Sequence, residues 1–542
     1  MKKRNLISAT LMAIVSLPVM AGGYLTNTNQ SASFLRMPAQ EAYISVEGAY
    51  YNPAGIGFLP NGWHVALNNQ TAFQTRKVET TFAAFAAGFK NNGSPVRNYK
   101  GTSSVPVIPS LDVAYVRDRW FGSFHFGIVG GGGKCEFEEG LGTFESVVSA
   151  VPTAINALTS VMGYGNVLQQ GYDMDTYMRG RQIYYGGQLN LGYRLNEKLS
   201  VSLGLRTVYA SSNYYGYVKN MKFQTAIPLV TGSGGSTVPV AAGTKLTARE
   251  LVTALGTTMI AKNPGDATTL SQVAGLANLG SQIEEVEVNC DRTSWGFAPI
   301  VGIHYHNGPL NIGARYEFKT RLHPTNKSTT QASQAALLPS LEEFVDGRVA
   351  EGDIPALLAV GVGYEFTKKL RANISGHYYF DKDATQVDNN QHKINSNTWE
   401  ILAGVEYDIT DRLTASLGGQ STNYGLGAEK EFINDVSFTT SSYSLGCGVK
   451  FKVNDRINLN LAYFKTFYYS TRKDQADYNH LSTTMSNIVK TSVAEGIITP
   501  AQAGTIQTNM AAAMASGAVN LQGSDRFDRT NDVIGIGIDF KF

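Results

Sequence analysis

Cysteine is nearly missing. Cys135, Cys290 and Cys447 are the three in 542 residues, an odd number set far apart. No disulfide framework and no metal-ligand spacing follows from them; Cys135 and Cys290 could be bridged only if the fold brought them together. Charge is sparse too, at 16% of residues, and nearly balanced at a net +2, so nothing electrostatic points to nucleic acid. After the first residues there is no run of 18 or more apolar residues, which excludes membrane-crossing helices. The chain also lacks G-x-S-x-G, H-E-x-x-H and Walker-type motifs, the usual carriers of nucleophilic, zinc and nucleotide chemistry. The "GGGGK" at 130–134 is not a phosphate loop, because no Ser/Thr and no helix follow it. His304 and His306 lie two apart on one strand face, and histidines beside a tight turn are read as solvated. Neither a metal nor a cofactor is expected.

What is there begins with an export leader. Lys2, Lys3 and Arg4 precede the apolar "LISATLMAIVSLPVMA", and the chain then turns polar in "GGYLTNTNQSA". This is a basic region, an apolar region and a small-residue exit, with cleavage expected after Ala21. Losing those cations leaves the exported chain near neutrality.

The rest repeats one pattern. "DVIGIGIDFKF" sets Ile534, Ile536, Ile538, Phe540 and Phe542 against Gly535, Gly537, Asp539 and Lys541. "RINLNLAYF" and "KLSVSLGLRTVY" alternate in the same way, with Leu199, Val201, Leu203 and Leu205 opposite Ser200, Ser202, Gly204 and Arg206. A period of two means strands with one apolar and one polar face. Strands are expected near 63–77, 107–117, 119–130, 179–195, 198–217, 286–306 and 309–321. Seven more follow near 354–366, 369–382, 394–409, 412–424, 436–452, 455–471 and 526–542. Tight links such as "RDRW", "HNGPL" and "VNDRI" alternate with long polar segments, giving about fourteen strands, six tight turns and seven longer loops. An even strand number with short turns on one side and long loops on the other is the outer-membrane barrel signature. Aromatic strand ends such as "GHYYF" and "FKTFYYS", in a chain with 28 tyrosines, suit interfacial girdles.

The expected fold is therefore an all-β membrane protein: a 14-stranded antiparallel transmembrane β-barrel with an N-terminal plug and helical segments in extracellular loops. Residues 1–21 form the leader, 22–62 the plug, and 63–542 the barrel. Its long outward loops fall at about 131–178, 218–285, 322–353 and 472–525. The plug follows from the lumen face. Gly302, Gly313, Gly404, Gly418, Gly446 and Gly535 fall on it near the tight turns, and strand glycines mark close approach of another backbone. "AYYNPAGIGFLPNG" (49–62) combines turn residues with apolar ones, as a packed but irregular stopper would.

"GGYLTNTNQSASFLRMPAQEAYISVEGAYYNPAGI" resembles the mature N-terminus of the FadL-type long-chain fatty acid transporters of Gram-negative outer membranes. Asn52, Pro53 and Ala54, followed by Gly55, match the Asn-Pro-Ala of that family's hatch. The resemblance is strongest over 22–57 and elsewhere rests on strand count and loop layout. It implies passive uptake of hydrophobic molecules without ATP or a TonB-type energy link: capture by outward loops, a pocket above the hatch, a hatch rearrangement, and a side exit at a kink in the third strand. Here that strand carries Gly130, Gly131, Gly132 and Gly133, which read either as the kink or as an ordinary start of a loop.

Apolar residues at helical spacing occur in 144–171, in two stretches of 218–285 and near the C-terminus, and such helices would form a self-packed lid or leave a groove for an apolar ligand. A fatty acid also needs a partner for its carboxylate. Arg206, Arg315 and Arg371 fall on the lumen face, beside Glu317, Glu365 and Glu406 that could neutralise them. The expected partners are a hydrophobic small molecule and outer-membrane lipid, with no nucleic acid, and the chain is expected to act as a monomer. A surface adhesin or structural barrel, or a barrel enzyme, is the alternative; no Ser/His/Asp cluster supports an enzyme, and a plug suits passage better than adhesion.

Overall fold

The computed structural model describes residues 24–232, 236–427 and 432–542. The expected leader at 1–21, with residues 22 and 23 of the expected plug, lies outside the described residues. Fourteen strands form a closed antiparallel barrel: β1 Gly62–Phe82, β2 Val96–Arg117, β3 Trp120–Phe137, β4 Leu168–Arg194, β5 Leu199–Thr225, β6 Val286–Asn307 and β7 Leu310–Glu317. They continue as β8 Leu357–Glu365, β9 Leu370–Tyr379, β10 Trp399–Asp408, β11 Leu413–Asn423, β12 Ser442–Asn454, β13 Ile457–Tyr468 and β14 Gly523–Lys541. Each pairs with its neighbour in sequence, and β14 returns to β1 in an unbroken register from His64↔Lys541 to Phe82↔Gly523. A closed barrel satisfies the backbone of every strand within the protein, which is what hydrocarbon demands.

The alternation is visible in burial. Leu203 and Leu205 are 64% and 48% exposed, whereas Arg206 beside them is 2% exposed. Ile534 and Ile536 face outward, and Gly535 and Gly537 face in. The outward band is apolar and carries aromatics at both rims. Trp63 lies against Tyr115 and Trp120 against Tyr193 at the tight-turn end, and Tyr209 lies against Trp295 and Tyr443 against Phe467 nearer the loops. No helix among the described residues is long and apolar enough to cross a membrane.

The six tight turns stand where the sequence put them, and two show why. Asp118 and Gly308 take left-handed backbone angles, φ 56° and 58°, which Asp tolerates and Gly adopts freely. At the other end several strands run further than their alternation suggested. β2 starts at Val96 rather than 107, β3 continues to Phe137, β4 starts at Leu168, and β5 extends to Thr225. Here, in "LQQGYDMDTYM" and "YVKNMKFQT", the register slips at Leu168/Tyr172 and Asp173/Asp175, so the buried Leu168, Tyr172, Val218, Met221 and Phe223 do not keep an unbroken period of two although the β4–β5 ladder continues. The loops therefore begin later than 131 and 218. They hold helices Gly142–Val161, Ala248–Lys262, Ala267–Ile283, Leu481–Ala494 and Pro500–Ala515.

Candidate functional site

Residues 24–61 fill the tight-turn half of the barrel. The segment contains helices Ala32–Arg36 and Gly48–Tyr51 and a 3-10 turn Pro53–Phe58, and almost all of it is buried. Elements this short cannot stand alone; the barrel wall holds them. A Cβ on Gly446 would lie 2.0 Å from the Leu35 carbonyl oxygen, and one on Gly313 2.0 Å from that of Glu41. The small residues of the lumen face thus leave room for the plug backbone.

Polar side chains of the wall satisfy that backbone. Gln188 and Asn190 on β4 donate to the Ala49 carbonyl at 2.9 and 3.0 Å, and Ser200 on β5 donates to Ala54 O at 2.5 Å. Asn52 donates to Glu41 O at 3.0 Å and to Ile303 O on β6 at 3.3 Å, tying two turns of the plug to the wall. Pro53 opens the 3-10 turn, where its missing N–H costs nothing. Gly55 lies under the His304 ring. His304 is buried rather than solvated: it and His306 both meet Asn311 Oδ1, and Phe58 packs against both rings.

Buried ions cross the interface. Arg36 pairs with Glu406 on β10 and bonds Ser416 on β11. Glu41 Oε1 accepts from His377 Nε2 on β9 at 2.8 Å, and His377 Nδ1 donates to Glu400 Oε2 at 2.9 Å. Glu400 also accepts from Tyr379, Gln420 and Thr422, so its lone pairs are occupied. Burial works to raise the Glu41 carboxyl, but the facing His377 ring outweighs it and holds the group below the usual carboxylate range.

The first turns of the plug meet a break in the wall. β2 and β3 pair from Leu111↔Phe126 to Arg117↔Trp120 and again at Gly101↔Phe137 and Thr102↔Glu136, but not between 103–110 and 127–135. Over the same span β3 slips in register against β4, at Ile128/Gly130 and Gly130/Gly133. Gly131 and Gly133 have φ of 95° and 80°, angles that a side chain would strain, so the run of glycines keeps a bulged strand going to Phe137. On the β2 side stand Pro106 and Pro109. Ile108 N–H is taken by Asn69 Oδ1 of β1 at 3.1 Å, so alternation puts the Pro109 nitrogen, which has no hydrogen, toward β3. The plug supplies the missing partners: Asn27 N donates to Val129 O at 2.9 Å and Gln30 Nε2 to Ile128 O at 2.8 Å. Ser110 of β2 donates back to Gln30 O at 2.5 Å.

Above the plug lies a cavity of about 540 Å³, with Tyr24 and Leu25 in its lining beside Gly133, Phe137, Tyr184 and Phe438. The loop helices roof this end. Leu158, Met259, Leu276, Val489 and Ile506, from five helices, share one apolar cluster, so the helices pack chiefly on one another.

None of the arginines singled out from the sequence lines this cavity. Arg206 is paired with Glu317 and bonds Gln188, and Arg371 binds Glu406 and Asp408. Arg315 donates to Tyr50 O and its guanidinium lies 5.1 Å from the centre of that ring, so it is engaged by the plug. Glu365 is exposed at the tight-turn rim. Cys135 and Cys290 are buried free thiols and are not bridged. The Glu41–His377–Glu400 chain and the break itself went unread in the sequence. Two prolines inside the strand-like "SSVPVIPSLDVAYV" were the available sign of an unpaired edge; Glu400 shares the lumen face of Gly404 and Glu406, but nothing local named its plug partner.

The family described as outer membrane protein beta-barrel domain matches residues 340–488. A solved structure of a Pseudomonas aeruginosa FadL homologue is similar, with a TM-score of 0.53 at 13% identity, over 96% of this chain and all of that one. The Pseudomonas putida toluene transporter TodX gives 0.49 at 12% identity over 96% and 99% of the two chains. The Ralstonia pickettii toluene transporter TbuX gives 0.44 at 13% over 96% and 97%. No curated protein sequence matches the chain. The chain has the FadL-type fold, a closed barrel of fourteen strands, and is a β-barrel of the Gram-negative outer membrane.

Proposed function

We propose that the chain takes up hydrophobic small molecules, such as long-chain fatty acids or aromatic hydrocarbons, by passive movement through the barrel wall. The helical loops face outward and collect the ligand, the cavity holds it, and a shift of the plug lets it leave sideways into the membrane. The observation that carries this reading is the unpaired span between β2 and β3, closed by Asn27 and Gln30 of the plug directly below Leu25 and beside Gly133, both in the cavity lining. A bulged strand whose missing partners belong to a separate segment can be opened without unzipping the barrel. The cost is a few hydrogen bonds, each worth about 1 kcal/mol net. An apolar ligand released there meets hydrocarbon rather than water, so transfer runs downhill. Asn52, Pro53, Ala54 and Gly55 serve as the anchor about which the plug rearranges. An adhesin or a structural barrel would have no use for a removable seal in its wall.

The test is uptake of labelled oleate and labelled toluene by cells with and without the gene. The reading predicts slower uptake of at least one of them on deletion. Unchanged uptake of both removes it for these substrates.

A further inference from the structure

Outward-facing rings on three neighbouring strands mark the loop-side edge of the apolar band. Tyr185 of β4 stacks on Tyr209 of β5 at 6.4 Å, and Tyr209 meets Trp295 of β6, 64% exposed, at 4.8 Å. Such residues settle at a membrane–water boundary because one end of each is apolar and the other wet. The sheet does not stop there: β4 stays paired with β5 as far as Leu168↔Thr225, and β5 with β6 as far as Val218↔Val286.

Past the neutral Ile183, Ser211 and Thr293, the outward face becomes charged. Register sets Lys134 of β3, Arg181, Asn213 and Asp291 in one row, ended by Lys327 of the short strand Thr325–Ser328 beside β6. The row beyond holds Glu136, Arg179, Tyr215 and Asn289. Hydrogen bonds follow this parity. Arg179 donates to Asn213 Oδ1 at 2.9 Å, and Asn213 donates to Asp291 Oδ1 at 2.9 Å. Arg181, on a stretch of wall beside Gly133 that also lines the cavity, donates to Ser211 Oγ at 3.4 Å on the outward side. Arg179 lies over the Tyr215 ring at 5.4 Å.

Charge in these rows does not balance. Lys134 is paired with Glu136, which also accepts from Tyr177 at 3.0 Å. Among the described residues, Arg179, Arg181 and Lys327 have no carboxylate within salt-bridge distance. With Asp291 as the other acid, the patch is net positive. Height decides what it meets. From Tyr193 at the tight-turn rim to Arg181 is twelve residues of β4. That is roughly 40 Å of strand, and about 30 Å along the membrane normal at a tilt of about 40°. The apolar band of such a barrel is about 25 Å tall. The cations therefore stand just above the hydrocarbon, at head-group depth, and point away from the barrel.

We infer that Arg179, Arg181 and Lys327 bind the phosphate of an outer-leaflet glycolipid. Its sugar ring lies against Tyr215, and its acyl chains run down past Tyr209 and Trp295. The forked guanidinium meets two phosphate oxygens at once, and basic clusters beside a membrane-spanning element attract anionic head groups. A lipid is the occupant because the patch continues the lipid-facing wall and carries the charge opposite to a phosphate. The inference stands apart from the uptake reading.

The experiment is native mass spectrometry of the purified, delipidated chain in a neutral maltoside detergent. The probes are lipid A (a phosphorylated, acylated glucosamine disaccharide), the same lipid dephosphorylated, and phosphatidylglycerol. Wild type is expected to hold lipid A at least about tenfold more tightly than either comparison, as charge-assisted bonds to phosphate imply. R179Q/R181Q/K327Q should bind lipid A no better than wild type binds the dephosphorylated form, while affinity for that form moves less than about twofold. The substituted side chains face outward, so assembly should persist, checked by heat-modifiable mobility on gels; the wild-type comparison needs no variant. Equal affinity of wild type for lipid A and its dephosphorylated form overturns the site. So does phosphatidylglycerol held as tightly as lipid A, which would be attraction to any anionic lipid, and so does a variant that keeps the preference. A wild-type dimer lost in the variant would make this face a contact between copies and overturn it as well.

Discussion

Glu41 of the plug and His377 of β9 meet at 2.8 Å with neither side chain exposed to solvent. With Glu400 on the far side of the ring, the imidazole is the one bridge between two buried carboxylates. His377→Ala leaves both without a cation, and breaking a buried pair in this way costs about 3–5 kcal/mol. The expected result is lost hydrogen-exchange protection over residues 38–46 with the barrel still heat-modifiable. Because the Glu41 carboxyl is held below its ordinary range, its contribution is complete at neutral pH and is lost as pH falls through and below that range. Wild-type protection, corrected for intrinsic rates, should hold on mild acidification and fall only at more acid pH.

Gln30→Ala removes the side chain that donates to both Ile128 O and Asn27 O at 2.8 Å. Exchange at 127–130 should quicken and uptake of toluene should rise, each consistent with about 1–2 kcal/mol less closure of the break. The same substitution should leave exchange in β8 to β13 unchanged, since none of those strands bonds this side chain.

Gly446→Ala places a methyl group 2.0 Å from the Leu35 carbonyl oxygen, and backbone cannot give way there as a side chain would. The plug helix Ala32–Arg36 should unseat while the strands still pair. Protease cleavage within 30–40 of a correctly assembled barrel is the readout, and a fully protected plug would argue against the fit described above.

Arg371 is engaged by two carboxylates near the tight-turn end, far from the cavity lining. Arg371→Gln should therefore leave oleate affinity unchanged. Arg206→Gln strips the buried Glu317 of its cation and should lower unfolding stability by about 3–5 kcal/mol, measured by guanidinium titration.

Pro53→Ala keeps the 3-10 turn but frees its first residue. Uptake should change while the heat-modifiable barrel persists. Loss of assembly instead would make the segment a folding element rather than a moving one.

The barrel was legible because lipid and lumen demand opposite side chains at alternate positions, and "DVIGIGIDFKF" or "KLSVSLGLRTVY" can satisfy that demand in one way only. The plug was legible indirectly, through lumen glycines such as Gly446 and Gly313 that would otherwise weaken strands for no gain. The far strand ends were not legible, because the β4–β5 ladder slips in register there and its buried Leu168, Tyr172, Met221 and Phe223 lose a single period of two. Nor were the ion pairs. Parity puts Arg206, Arg315 and Arg371 on one face, but which partner each finds depends on other strands and on the plug. Alternation alone therefore could not tell that all three are already engaged within the protein.

The central claim is that the plug closes a gap in the wall that ligands use. Cysteines at Asn27 and Val129, whose backbones are hydrogen-bonded at 2.9 Å, in a chain with Cys135, Cys290 and Cys447 replaced, allow it to be locked. Uptake of oleate or toluene, whichever deletion of the gene slows, should fall to the level of cells without the gene when the pair is oxidised and recover on reduction. Equal uptake in the oxidised and reduced states would contradict the account.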